Sequence, residues 1–210
     1  MEYDSENVWN GKSIKINQLK TIVFASANAH KLEEIRAMLP EGMELLSSSD
    51  VGFHEDVEET GDTFEENAEL KAEALFNFTG KPCFADDSGL EVKALKKQPG
   101  VKSARYAGEP VNHQKNTALL LKNLEGKSDR SARFVTVICL KTADKTLFFE
   151  GEVRGTIAET PRGDKGFGYD PVFIPEGHTR TFAEMSAEEK NAISHRKNAV
   201  IKLLDFVPYI

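Results

Sequence analysis

The run Phe84-Ala85-Asp86-Asp87-Ser88-Gly89-Leu90 puts two adjacent carboxylates and a hydroxyl after a short apolar stretch, closed by a glycine. Read as the end of a strand, it delivers hard oxygen ligands to one rigid point. Mg²⁺ takes such ligands, usually one or two carboxylates, and fills its other positions with waters and substrate phosphates. The same residue types suit a plain turn, with Leu90-Glu91-Val92 as a separate short strand beyond it. Glu59 adds an acid from the run 50–61, which reads first as solvated surface.

Two further groups carry chemistry of other kinds. Ser26-Ala27-Asn28-Ala29-His30-Lys31 stands where a strand hands over to a helix. A helix start offers backbone N–H groups and a positive dipole end, so this is an anion site as well as an ordinary capped helix. Gly166-Phe167-Gly168-Tyr169-Asp170-Pro171 holds aromatic rings and an acid in a glycine-punctuated loop, and Lys190, Ser194, His195 and Arg196 follow near a helix start. A lone His or Arg on a helix is usually surface. Aromatic stacking with fixed donors is also how a base is read outside a duplex. Acids for a metal and a proton, cations for phosphates and rings for a base describe a nucleotide site with metal-assisted phosphoryl chemistry.

The elements that must position these groups can be read from periodicity. Thr21–Ala25 is a β-branched and aromatic strand, and Leu32, Ile35 and Leu39 repeat at helical spacing until Pro40, with Asn28 as N-cap. Thr63 and Glu66 form a capping box for a helix over 63–78. Phe64, Ala68, Ala72 and Leu75 share one face of it, with Asn67 and Lys71 flanking that face one turn apart. Residues 99–108 read as a loop or short helical turn, and 112–124 as a helix. Ala132–Leu140 is apolar on both alternations and so central in a sheet. A turn at Ala143-Asp144 joins it to a strand with one wet face, which makes an antiparallel hairpin. Ser186 and Glu189 form a second capping box, and Ser194 caps a last helix that carries Val200, Leu203 and Leu204 inward. The fold class is α/β with an antiparallel part, not a purely doubly wound sheet.

Composition narrows the functions. A chain of 210 residues with 40% hydrophobic content supports a real core. The net charge of −7 argues against nucleic-acid binding, which needs a basic face, but not against a small anion held by a local cluster. Cys83 and Cys139 sit in apolar runs, a pattern of buried thiols in a reducing compartment such as the cytoplasm. No apolar run approaches the ~18 residues of a membrane span, and residues 1–20 lack the apolar segment of a signal peptide. They read as a flexible N-terminal extension, with 21–210 as a single domain. Walker A, protein-kinase and zinc-spacing motifs are absent. Spacing alone leaves a Ser-His-Asp triad open, but Ser88 lacks the G-x-S-x-G elbow.

Taken together the motifs resemble the inosine triphosphate pyrophosphatase family, in its bacterial form that acts on non-canonical purine triphosphates. The matching segments run in family order over most of the chain. They are Ser26–Lys31, Glu59–Ala68, Ala85–Leu90, Pro99–Tyr106, Gly166–Pro171 and Glu189–Arg196. The resemblance implies a long mixed β-sheet with flanking helices, forming two lobes around a central nucleotide cleft. It also implies a homodimer, Mg²⁺ as cofactor, and hydrolysis of ITP, dITP or XTP to the monophosphate and pyrophosphate. Residue by residue it makes Asp87 the proton acceptor and, with Glu59, a metal ligand. It assigns Ser26, Ala27, Asn28, Ala29, His30 and Lys31 to phosphate and Ser88 to a substrate contact. Phe167, Gly168, Tyr169, Asp170, Lys190, His195 and Arg196 go to the base. Lys71 and Asp86 align with family positions of less defined role. Two departures stand out: Ala27 and Lys165 occupy positions where the family usually has glycine.

Overall fold

The sheet forms where the sequence places its β-branched and aromatic runs. The computed structural model describes residues 20–206 and, before them, two short strands, β1 (Asn7–Trp9) and β2 (Lys12–Ile14), which pair antiparallel. The expected flexibility of the extension otherwise falls on residues outside those described. Six further strands make one mixed sheet: β3 (Lys20–Phe24), β4 (Met43–Ser47), β5 (Cys83–Val92), β6 (Ser131–Lys141), β7 (Thr146–Ile157) and β8 (Phe173–Pro175). Their spatial order is β4-β3-β5-β6-β7-β8. β3 runs parallel to β4 and β5, and the pairs from β5 to β8 are antiparallel. The long mixed sheet and the hairpin at Ala143-Asp144 are as the sequence led us to expect. Among the described residues no helix is long and apolar enough to cross a membrane.

Helices cover the sheet according to their apolar stripes. α1 (Ala29–Arg36) and α5 (His195–Phe206) bury Leu32, Ile35, Val200, Leu203 and Leu204 against Ile22, Phe24, Phe84 and Leu140. α2 (Phe64–Thr79) takes the opposite face, with Ala68 and Ala72 on Ala85 and Cys139. Its capping box is complete: Thr63 accepts from Glu66 N and Glu66 accepts from Thr63 N. α3 (His113–Asn123) closes a second core of Leu90, Val92, Leu120, Leu124, Phe134, Phe173 and Phe182. α4 (Ala187–Ile193) follows the second capping box, at Ser186 and Glu189. Ser194 caps α5, its Oγ accepting from Lys197 N.

The central correction concerns Asp86–Gly89. Neither strand end nor turn, these residues lie in the middle of β5, and Leu90–Val92 continues the same strand. The reason is the ladder. Every residue from Cys83 to Val92 has a partner on β6, from Lys141 back to Ala132. The Asp, Ser and Gly types that suggested a turn are outweighed by ten successive antiparallel pairs. Gly89 is required by packing. A Cβ there would collide with the carbonyl oxygen of Gly100, lie 2.6 Å from Ser103 Oγ and 2.8 Å from Phe64 Cε1. α1 also ends earlier than the Leu39 periodicity suggests, at Arg36, with Ala37 N bonded to Glu33 O.

β5 therefore threads both cores. Phe84 belongs to the first and Leu90 to the second, with only Ala85 to Gly89 between them. Gly151 on β7 lets α5 dock: a Cβ would meet the carbonyl oxygen of His195 and the amide of Ala199. Gly151→Ala should destabilise the protein by about 1–3 kcal/mol through overpacking, read as a lower denaturation midpoint with unchanged slope. Wild-type stability would show that α5 does not need this approach.

Candidate active site

The cleft exists because one pairing stops. β3 meets β5 only at Val23↔Cys83 and Phe24↔Phe84, and the Ala25 amide makes a last bond to the Phe84 carbonyl. Beyond Phe84 the chain after β3 turns into α1, so Asp86–Gly89 keep β6 on one side and open space on the other. Ligands bind in open α/β sheets at such points, where connections diverge from adjacent strand ends. The resulting cavity is about 1080 Å³. Ser26, Ala27, Asn28, Lys31, Glu59, Lys71, Asp86, Asp87, Ser88, Phe167, Gly168, Tyr169, Asp170, Lys190, His195 and Arg196 line it. Of the expected residues, Ala29 and His30 do not. Ala29 is exposed at the first position of α1. The His30 imidazole instead stacks on the Phe167 ring, with centroids 5.1 Å apart and planes 12° apart.

Strand alternation separates the two adjacent carboxylates, so they do not converge on one point as their adjacency suggested. Asp86 faces α1 and α5. Its Oδ1 accepts from Lys31 Nζ at 2.7 Å, and its Oδ2 from Ser88 Oγ at 2.8 Å and from Arg196 Nη2 at 3.4 Å. Asp87 faces α2. Its Oδ2 accepts from Asn67 Nδ2 at 3.1 Å, and its Oδ1 lies 3.8 Å from Lys71 Nζ. Their acidities diverge accordingly. Burial alone would raise Asp86, but Lys31, Arg196 and Lys71 outweigh it and hold the carboxyl well below the usual range. Burial raises Asp87, the charge of Glu59 adds to this, and Lys71, Lys31 and the Asn67 amide only partly offset it. Paired groups whose environments pull their pKa values apart are a mark of assigned acid–base roles. Asp87 is the better proton acceptor, and Asp86 is a fixed negative charge.

Lys71 stands between Glu59 and Asp87, 2.6 Å from Glu59 Oε1. The loop carrying Glu59 is tied down by Asn67. The Asn67 Oδ1 accepts from Gly61 N at 2.8 Å while its Nδ2 holds Asp87. Glu59 is thus only partly exposed and belongs to the cleft, despite its acidic surroundings. Among the described residues no group of three or more His, Cys, Asp or Glu side chains could hold a metal alone. Glu59 and Asp87 are a two-carboxylate set with a cation already between them.

The start of α1 differs from the simple anion site expected. Asn28 Oδ1 accepts from His30 N and Lys31 N, so its side chain takes those two donors, and Asn28 N donates to Ser26 Oγ. The segment's contribution to the cleft includes the Lys31 ammonium, buried enough that its pKa is lowered.

The opposite wall is a buried charge network. Lys190 Nζ donates to Asp170 Oδ2 at 2.7 Å and lies 4.9 Å from the Phe167 ring centre. Asp170 also accepts from Phe167 N, and Tyr169 Oη donates to Ser103 O at 2.9 Å, so both residues brace the loop that presents Phe167. His195 stacks on Phe134 with centroids 4.8 Å apart. Burial, with Arg196 and Lys190 nearby, pushes its pKa well below the usual value, so the ring is neutral. His195 Nδ1 and Arg196 Nε have no protein partner. Buried polar atoms without partners are rare and costly, and these two belong to residues that line the cleft.

The sequence reading missed Glu34. From α1 it accepts from Lys190 Nζ at 2.8 Å and from Arg196 Nη1, tying α1 to both cations. Its place one turn after Lys31 was the available signal. Arg105 was also missed as a site residue; it contacts Glu59 from the 3₁₀ segment Gly100–Arg105.

Comparison with known proteins identifies the family. The Ham1 family model matches residues 22–206. The chain belongs to the Ham1 family. A dITP/XTP pyrophosphatase of Porphyromonas gingivalis is 53% identical over 190 residues, covering 90% of this chain and 98% of the relative. One from Bacillus subtilis is 46% identical over 189 residues, covering 88% and 96%. The solved Ham1 protein of Staphylococcus aureus superposes with a TM-score of 0.83 at 45% identity, covering 90% of this chain and 98% of that one. The family resemblance carried by the motifs is thereby shown, and the Ham1 architecture is the one described above.

Glu34 pairs two buried cations, so Glu34→Gln should cost about 3–5 kcal/mol. Glu34 is held below the usual carboxylate range because Arg196 and Lys190 outweigh its burial. A depressed pKa contributes stability that is present above the unfolded value and is lost as pH falls through the folded one. Unfolding free energy should therefore fall in the wild type below about pH 4, and less steeply in Glu34→Gln. Equal acid sensitivity in both would remove Glu34 from this account.

Proposed function

We propose that the protein hydrolyses non-canonical purine nucleoside triphosphates, ITP, dITP and XTP, to the monophosphate and pyrophosphate. The observation that carries the reading is the divergence of Asp86 and Asp87 at the open edge of β5. One carboxylate anchors cations, and the other is left as a proton acceptor. Relatives sharing about half their residues and named dITP/XTP pyrophosphatases support the substrate class.

Glu59 and Asp87 would hold Mg²⁺. Their hard oxygens suit it, their shared point already attracts an ammonium, and substrate oxygens and waters would complete its shell. When bound, the ion supplies Lewis-acid neutralisation of the polyphosphate. The chain's own residues do the rest. Asp87 takes a proton from the water whose oxygen attacks the α-phosphorus. The bond from that phosphorus to the bridging oxygen breaks, and the bridging oxygen leaves with pyrophosphate. Lys31 and Lys71 face the developing charge, and electrostatic positioning of this kind supplies most of the acceleration in phosphoryl transfer.

Base choice rests on His195 and Arg196, which line the cleft together with Phe167. Arg196, with neutral His195, offers hydrogen bonds to a 6-keto oxygen beside the Phe167 ring. Adenine has an amino group there and leaves buried donors unpaired, at a cost of about 1–3 kcal/mol. By the same family resemblance the enzyme works as a homodimer on free nucleotides in a reducing cytoplasm. The buried thiols of Cys83 and Cys139, both pushed up to about 12 by burial, suit such a setting.

Incubation with ITP, XTP, dITP, ATP and GTP should release pyrophosphate from the first three far faster than from ATP, and chelation of divalent metal should stop it. Orthophosphate as first product sinks the reading. Asp87→Asn should cut turnover by roughly 10²–10⁴-fold with the fold intact by circular dichroism. Near-normal turnover would remove Asp87 from its role.

A further inference from the structure

The charges lining the cleft can be matched one by one, and the matching leaves a residue with no assigned task. Lys31 is satisfied by Asp86, and Lys190 by Asp170 and Glu34. Arg196, with a side chain 1% exposed, is held by Glu34, Asp86 and Ser88. None of those acids is a proposed metal ligand. Lys71 and Arg105 are different, because the carboxylates they hold are Glu59 and Asp87. Glu59 is shared between them: Oε1 faces Lys71, Oε2 accepts from Arg105 Nη1 at 3.3 Å, and its backbone carbonyl accepts from Arg105 Nη2 at 3.0 Å.

A carboxylate cannot serve two cations and a metal ion equally. When Glu59 takes a divalent ion, Lys71 and Arg105 lose their anionic partner just as a triphosphate brings several negative charges. Arg105 suits that moment. Its side chain is 34% exposed, twice or more the exposure of Lys31, Lys71, Lys190 or Arg196, so it can turn without leaving a core. Its backbone, by contrast, is fixed. Ser103 Oγ bridges Gly100 O and Leu90 N, and Asn116 Nδ2 donates to Ala104 O at 2.7 Å. Arg105 meets Glu59 on the oxygen opposite the one facing Lys71, so the two cations hold the two oxygens of one carboxylate. Lys71 is paired with both Glu59 and Asp87 and Arg105 with Glu59, which suits Arg105 to the phosphates away from the water that Asp87 activates.

We propose that Arg105 is a substrate-contacting residue that binds the β- and γ-phosphates and holds the departing pyrophosphate, with Glu59 keeping its guanidinium in place until metal and substrate arrive. The proposal rests on the pyrophosphatase reading above. Arg105 transfers no proton. Its planar fork donates two parallel N–H groups to phosphate oxygens, a geometry that lysine cannot reproduce. The bond changes remain those at the α-phosphorus, and Arg105 stabilises the group that carries away the bridging oxygen.

The test is calorimetric binding of inorganic pyrophosphate and of IMP to wild type, Arg105→Ala and Arg105→Lys, with Mg²⁺ in constant excess, beside steady-state turnover of ITP. Arg105→Ala should weaken pyrophosphate binding tenfold or more, leave IMP binding within twofold, and lower kcat/KM for ITP. Arg105→Lys should recover only part of the pyrophosphate affinity. Unchanged pyrophosphate affinity, or equal weakening of both ligands, overturns the proposal and makes Arg105 a clamp on the Glu59 loop. A rise in the Mg²⁺ needed for activity, with normal pyrophosphate binding once Mg²⁺ is saturating, overturns it in the same way. Wild type that releases no pyrophosphate from ITP overturns the activity itself and this proposal with it, whereas the variant results bear on Arg105 alone.

Discussion

The structure depends on one strand having two neighbours at one end and one in the middle. β5 is flanked by β3 and β6 as far as Phe84, and by β6 alone where Asp86 to Gly89 follow. The continuous β6 ladder holds these residues extended, so successive side chains must point to opposite faces. The missing β3 pairing exposes that part of the strand to a cleft. Two adjacent aspartates thereby acquire different environments without any loop to aim them. A rigid sheet is also a more accurate platform for a catalytic carboxylate than a turn would be.

The cleft's charges are arranged to be buried without being stranded. Burial of an isolated ion is expensive, so each cation is met by an acid. Asp86 is met from α1 by Lys31 and from α5 by Arg196, and Glu34 on α1 meets Arg196 and Lys190 in return. These contacts join elements far apart in sequence. Their order depends on both cores being formed, which couples the site to the packing of α5 over Gly151. The polar atoms left over are informative for the same reason. His195 Nδ1 and Arg196 Nε are buried without a protein partner, in residues that line the cleft.

Much of the local structure was legible. Both capping boxes, the Asn28 cap, the apolar face of α2 and the hairpin at Ala143-Asp144 follow from side chains acting within a few residues of themselves. The turn at Asp86–Gly89 was misread for the opposite reason. Local chemistry favours it, and only a partner strand some fifty residues later, Val135 to Ile138, decides against it. Glu34 and Arg105 escaped notice because a charged residue on a helix or loop reads as surface. What marks them is a neighbour from a distant segment of the chain.

The sequence by itself determined the inventory: which acids, cations and rings are present, which helices start where, and the family to which they belong. Those are matters of residue type and short-range spacing. Tertiary structure decided the division of labour. It set Asp86 against Lys31 and Arg196, left Asp87 with a raised pKa beside Asn67 and Lys71, turned His30 onto Phe167 and brought Arg105 to Glu59. A carboxylate's acidity and a cation's availability are set by burial and by charges a few ångströms away, and those neighbours come from chain segments that only folding brings together.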